Sequence, residues 1–290
     1  MVGADIALDL AEILLLFAGI SPDMSVVVIL HMLTLLPPLI YVLATKEGRR
    51  GLRFCRVKAR DAVLCVCIAV MLYLVLSGML LMLSGLIVQS GGTVPSNATD
   101  AYMQTTPLVV YFAFYCLFPP LTEECIFRGA LQNHFESRLG GVALLVSTVY
   151  FAILHADPLS MLNAFFAGLV LGLVYVRTRS LWAPVIVHGL FNFFASSGVL
   201  DEYVLLLPWE TGTLSMQTLT FDAPVFRVYV GGMMAAALLL LWAFLRLLAL
   251  RSDNKMKKQP VLHRERVGAP AAVFFVLAGL RAVTASLAYF

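Results

Sequence analysis

The chain alternates long apolar runs with short breaks marked by charges, glycine or proline. Crossing a hydrocarbon core takes roughly 20 apolar residues in a helix. By that measure the spans are 24–44, 62–88, 105–120 continuing past Pro119-Pro120 to about 136, 141–156, 159–176, 181–198 and 223–246. The Pro119-Pro120 break is expected to start a new helix with Thr122 near its first turn. Two runs are weaker. Residues 7–20 are short and acidic at the start, so they lie at the interface or span; residues 270–290 contain Arg281 and span or lie along the membrane. The fold expected is all-α, a polytopic transmembrane helical bundle of about eight spans.

Composition sharpens this. Hydrophobic residues make up 61% of the 290 and charged residues 13%, with a mean hydropathy of +0.91. A soluble domain carries about 25% charged residues, so the polar surface for a water-exposed globule is missing. The net charge of +3 excludes a protein built to bind nucleic acid, which needs a strongly basic face. Five cysteines, an odd number with no repeated CxxC, give neither a disulfide framework nor a zinc pattern. Asp5, Asp9 and Glu12 stand where a secretory signal would carry positive charge.

The positions of the charges set an orientation. Lys46, Arg49, Arg50, Arg53, Arg56, Lys58 and Arg60 fill one loop, and Arg251, Lys255, Lys257, Lys258, Arg264 and Arg266 fill another. Both read as cytoplasmic, and counting spans places Arg138, Arg177 and Arg179 on the same side. Loops 89–104 and 199–222 hold no Lys or Arg and face outward. The basic runs are topogenic charge in contact with anionic lipid. The Asn97-Ala98-Thr99 sequon lies in an outward loop and matters only in a eukaryotic secretory pathway.

A charge inside a span costs at least a few kcal/mol, so such residues are candidates for function. They cluster here: Glu123, Glu124 and Arg128, then His155 after Phe151, then His188 with Asn192. His31 and His134 stand alone, and His263 is in a basic loop. Glu124 and Arg128 are four apart and share a helix face, so they can pair and stay charged. Glu123 points about 100° away from Glu124, which separates the two carboxylates into different environments and roles. His188 and Asn192 share a face, as do Phe151 and His155. A buried carboxylate beside a histidine can take a proton from water, and a second histidine with a carboxamide can stabilise an oxyanion. Those are the parts for hydrolysis of an amide. Gly168 and Gly172, one turn apart, read as a close helix-packing stripe.

The order EExxxR (Glu123, Glu124, Arg128), FxxxH (Phe151, His155) and HxxxN (His188, Asn192) resembles the three motifs of the CPBP family of intramembrane proteases. That family includes the type II CAAX prenyl endopeptidases (Rce1-like) and the bacterial Abi proteins. The resemblance covers residues 105–198, about a third of the chain. It implies a metal-free glutamate-dependent protease in which Glu123 and His155 activate water, His188 and Asn192 form the oxyanion hole, and Glu124 and Arg128 are structural. The Phe127-Arg128-Gly129 step and the Gly168/Gly172 pair resemble the bacterial branch, hence a multi-pass protein of the bacterial plasma membrane, its active-site cavity opening toward the cytoplasm or sideways into lipid. Substrates implied are membrane proteins, prenylated proteins or peptides, in the lipid bilayer and without nucleic acid.

The organisation expected is N-terminal helices and the basic loop over 1–104, a catalytic core over 105–198 among the central helices, and an outward loop with C-terminal helices over 199–290. Two His and one Glu also suit a catalytic zinc, although no HExxH occurs. Buried Glu, Arg and His serve transporters and proton relays too, but no inverted repeat is visible. A catalytically silent immunity factor is the third alternative. The hydrolytic reading requires Glu123 and His155 to converge within about 10 Å of each other or share a water path.

Overall fold

The computed structural model describes residues 35–93, 112–155, 158–197, 200 and 224–251. Segment 7–20, His31, the Asn97 sequon, loop 201–222, the basic run after Arg251 and segment 270–290 lie outside the described residues.

Every regular element among the described residues is helical. Helix α1 (Leu35–Ala44) meets α2 (Lys46–Gly51) at Thr45, whose hydroxyl donates to the Tyr41 carbonyl and accepts the Gly48 N–H, capping α2. Helix α3 (Ala59–Gln89) follows the basic loop. Next comes a helical path that alternates between π and α register: a π-helix (Phe112–Leu117), α4 (Phe118–Glu124), a second π-helix (Cys125–Gln132) and α5 (Asn133–Leu139). Pro119 sits in the first turn of α4, where a missing N–H costs nothing, so the proline break does start a helix. Thr122 donates its hydroxyl back to the Phe118 carbonyl at 2.8 Å. Helices α6 (Val142–Ile153), α7 (Pro158–Thr178), α8 (Trp182–Ser197) and α9 (Pro224–Arg251) complete the bundle.

Three helices among the described residues are long and apolar enough to cross a membrane: α3, α7 and the Arg227–Leu250 part of α9. The elements that carry the candidate site are shorter; α6 has 12 residues, roughly 18 Å of helix against a core of roughly 30 Å. The main core joins α3, α7, α8 and α9, with Ile68, Leu72 and Leu76 packed among Leu171, Val174 and Val187. A second core under α1 holds Ile126, Phe127, Phe151 and Ala164. Val228, Leu239 and Leu250 are exposed along α9, as a lipid-facing helix requires.

One end of the bundle gathers basic clusters that the charge pattern groups together. The Leu181 N–H donates to the Arg53 carbonyl at 2.8 Å, tying the basic loop to the turn before α8. Arg179, whose φ of 52° ends α7 in the left-handed region, forks both guanidinium nitrogens onto Glu136 of α5 at 2.5 and 2.6 Å. That carboxylate raises the Arg179 pKa above its ordinary value.

At the same end α2 lies against the second π-helix. Asn133 donates to the Gly51 carbonyl at 3.3 Å and to the Gly129 carbonyl at 2.8 Å. A β-carbon on Gly51 would overlap the Gly129 carbonyl, a backbone atom that cannot rotate away. Gly51→Ala is therefore expected to cost about 1–3 kcal/mol, the usual range for overpacking. Thermal melting of the detergent-solubilised protein checks this; an unchanged midpoint would show that α2 shifts freely.

Candidate active site

The site is built where α4 runs into the second π-helix and meets α6, α7 and α8. Glu123 and Glu124 end α4, Arg128 lies on the π-helix, Phe151 and His155 come from the end of α6, and His188 and Asn192 from α8. Wide π-turns inside helical segments are frequent at functional sites, and here one follows both acids directly.

Glu124 is 0% exposed and Arg128 1%, and they form the expected pair: Arg128 Nη1 donates to Glu124 Oε1 at 2.9 Å. Arg128 is used further. Its Nη2 donates to the Gly168 carbonyl on α7 at 3.1 Å, and its guanidinium carbon lies 4.6 Å from the centroid of the Phe151 ring. Gly168 makes room for this: a β-carbon there would come within 3.1 Å of Phe151, 3.2 Å of Thr148 and 3.4 Å of Arg128 Nη2. The small-residue stripe is thus more than a packing surface, since its carbonyls take side-chain donors from the neighbouring π-helix. Gln132 repeats the contact one turn on, its Nε2 reaching the Gly172 carbonyl at 3.5 Å.

His188 joins the two acids. Its Nδ1 lies 3.0 Å from Glu124 Oε1 and its Nε2 3.8 Å from Glu123 Oε2. The expectation that the carboxylates occupy separate environments needs revision. They leave the helix in different directions, but one imidazole has a nitrogen on each side and faces both. Their situations still differ: Glu124 is fully buried and ion-paired, whereas the Glu123 side chain keeps 19% exposure and stands beyond hydrogen-bond distance from the ring.

Phe151 connects the histidines. Its ring centroid is 5.1 Å from that of His155 and 5.8 Å from that of His188, both edge-to-face or tilted. His155 Nδ1 lies 3.1 Å from the Phe151 carbonyl one turn back. With Nδ1–H donating there, Nε2 is left as an acceptor, the form a base requires. Asn192 donates Nδ2 to the Tyr115 carbonyl of the first π-helix at 3.0 Å. Its amide has a second N–H besides the one used for that bond. The approach of α8 to the first π-helix depends on Gly189, where a β-carbon would stand 2.5 Å from the Cys116 carbonyl oxygen.

All six residues singled out from the sequence therefore lie on elements that meet here. Glu123, Glu124, Arg128 and His188 are joined by direct approaches, His155 through Phe151, and Asn192 by its place one turn from His188. Tyr115, Gly168 and Gln132 take part without having stood out for these contacts, because bonds to backbone carbonyls leave no pattern in a sequence. Among the described residues no three His, Cys, Asp or Glu side chains converge as metal ligands.

Residues 105–194 match the family described as Type II CAAX prenyl endopeptidase Rce1-like. The match ends two residues beyond Asn192 and holds all three motifs. Among curated proteins, the chain is 32% identical over 96 residues to "Putative membrane peptidase YdiL" of Bacillus subtilis, covering 32% of this chain and 37% of that one. It is 27% identical over 114 residues to the membrane-embedded CAAX protease MroQ of Staphylococcus aureus, covering 37% and 46%. It is 33% identical over 84 residues to the UPF0177 protein in the abiGi 5′ region of Lactococcus lactis subsp. cremoris, covering 29% and 35%. The chain thus spans less than half the length of each of these relatives. No solved structure matches it.

Proposed function

We propose that this chain is an endopeptidase of the bacterial plasma membrane that hydrolyses a peptide bond with a glutamate-activated water. The observation that carries the reading is the single imidazole of His188 set between the carboxylates of Glu124 and Glu123, inside the segment that matches the Rce1-like family.

In this mechanism the buried Glu124–Arg128 pair fixes the ring through Nδ1, so that Nε2 faces the reacting centre. Glu123, the more accessible acid, takes a proton from the attacking water with His155 Nε2 as its partner, and later returns it to the leaving amine. His188 in its doubly protonated form donates Nε2–H to the developing oxyanion while Nδ1–H stays on Glu124. The second N–H of Asn192 supplies the other donor. Exclusion of bulk water by Phe151, Phe127 and the surrounding bundle strengthens each of these interactions. The substrate is a membrane-embedded protein or peptide; a prenylated C-terminus is one such class, supported by the description of the matching family.

The test compares protein termini and membrane peptides between cells carrying the wild-type chain and cells carrying Glu123→Ala. A defined set of termini should disappear in the variant at equal protein level, and identical sets would sink the protease reading. With a processed substrate in hand, hydrolysis by the purified protein should persist in a chelator; loss reversed by zinc would replace the glutamate mechanism with a metal one.

A further inference from the structure

Four buried side-chain atoms among the described residues lack a hydrogen-bond partner: Asp61 Oδ1, Glu124 Oε2, Gln132 Oε1 and Asn163 Oδ1. Asp61 has Arg60 at 3.7 Å. The Glu124 and Gln132 atoms border one seam, the contact of α4 and the second π-helix with α7. Glu124 and Gln132 lie on either side of Arg128 at four-residue steps, which puts all three on one face. Arg128 and Gln132 reach the carbonyls of Gly168 and Gly172, also four apart, and Asn163 is on the same helix as those glycines.

A buried acceptor left dry forfeits its hydration without return, and buried polar groups in folded proteins are almost always satisfied by protein or by ordered water. Two such acceptors two turns apart on one face, with a guanidinium and backbone carbonyls between them, supply the several polar partners an internal water needs. The seam also continues outward. Asn133, next to Gln132, bonds to the Tyr175 hydroxyl, which faces the Gly51 carbonyl, and one turn beyond stand Glu136 and Arg179 with part of each side chain in solvent. Polar groups therefore recur at one-turn steps from the partly exposed end of the bundle to the buried carboxylate that holds His188. The main core is, by contrast, packed with Ile68, Leu72, Leu171 and Val187.

We infer that this seam is a file of internal waters that supplies the reacting centre from the Glu136–Arg179 end, with Gln132 as its positioning residue. The inference rests on the hydrolytic reading for its purpose, though not for its existence. A peptidase enclosed by lipid and aromatic side chains consumes one water per turnover, and that water must cross an apolar bundle.

Hydroxyl-radical footprinting of the full chain in lipid nanodiscs tests the file, because bound internal water delivers radicals to residues that bulk solvent does not reach. Tyr175 is 0% exposed and Tyr73 2%, yet only Tyr175 borders the seam. Tyr175 should be modified at least about fivefold faster than Tyr73, and Gln132→Leu should bring the two rates together. Equal rates in the wild-type chain, or an undiminished Tyr175 rate in Gln132→Leu, would overturn the inference. On a processed peptide, Gln132→Leu should lower kcat severalfold with KM and melting temperature unchanged. A fall in KM-dependent binding or stability instead would reduce Gln132 to packing. If the wild-type chain labels as expected but cleaves nothing, the protease reading fails and the water file stands.

Discussion

Glu123→Gln should abolish peptide hydrolysis and leave the melting temperature almost unchanged. A general base contributes about a hundred- to ten-thousandfold to the rate, and the amide has the same shape with no basic oxygen. Stability should hold because Glu123 keeps part of its surface and approaches His188 only to 3.8 Å, too far for a direct hydrogen bond. Its removal leaves no buried donor newly unpaired. The pair of measurements is kcat/KM on a processed peptide and the thermal midpoint of the same preparation. Turnover within about tenfold of wild type would take Glu123 out of the proton transfer, since a base contributes more than that. Loss of both activity and stability would instead make Glu123 a brace.

The contrast with Glu124 shows how far spacing could be read from the sequence. The four-residue interval between Glu124 and Arg128 predicted their ion pair, and hydropathy with the ordered motifs predicted a helical bundle with these residues at its centre. Neighbouring acids 100° apart on a helix also predicted different surroundings, and the burial of the two does differ. Helix angle alone does not fix the partner: an imidazole has two nitrogens, and His188 spans both carboxylates. The π-turns are not legible either, because the residues of Cys125–Gln132 fit a period of 3.6 as well as a wider turn. Gly168 and Gly172 were visible as small residues but not as acceptors, since any residue has a carbonyl and only the neighbouring helix decides which is used. The lengths of the site helices were hidden for another reason: α6 ends after Ile153, while apolar residues continue to Leu154 and mask the stop.

Arg128→Met should be the most destabilising single change in the site, by about 3–5 kcal/mol, the cost of breaking a buried pair by removing one partner. Arg128 meets three demands at once: the Glu124 carboxylate at 2.9 Å, the Gly168 carbonyl at 3.1 Å and the face of Phe151 at 4.6 Å. Methionine fills the volume and meets none of them, so a carboxylate with no solvent exposure loses its guanidinium partner. Lysine should recover little, because a single ammonium cannot reach the carboxylate and the carbonyl with the planar fork that Arg128 uses. The double change Glu124→Gln with Arg128→Met should recover most of the loss, since a neutral amide no longer needs the cation and its oxygen can still accept from His188 Nδ1. Chemical denaturation of the two single variants and the double variant forms a cycle whose coupling measures the pair. A coupling below about 1 kcal/mol would mean that the pair contributes no more than an exposed one, despite its burial. Activity separates the remaining roles. The double variant should keep measurable turnover because Glu123 is intact and His188 remains held, whereas Glu123→Gln, with every brace in place, should keep none.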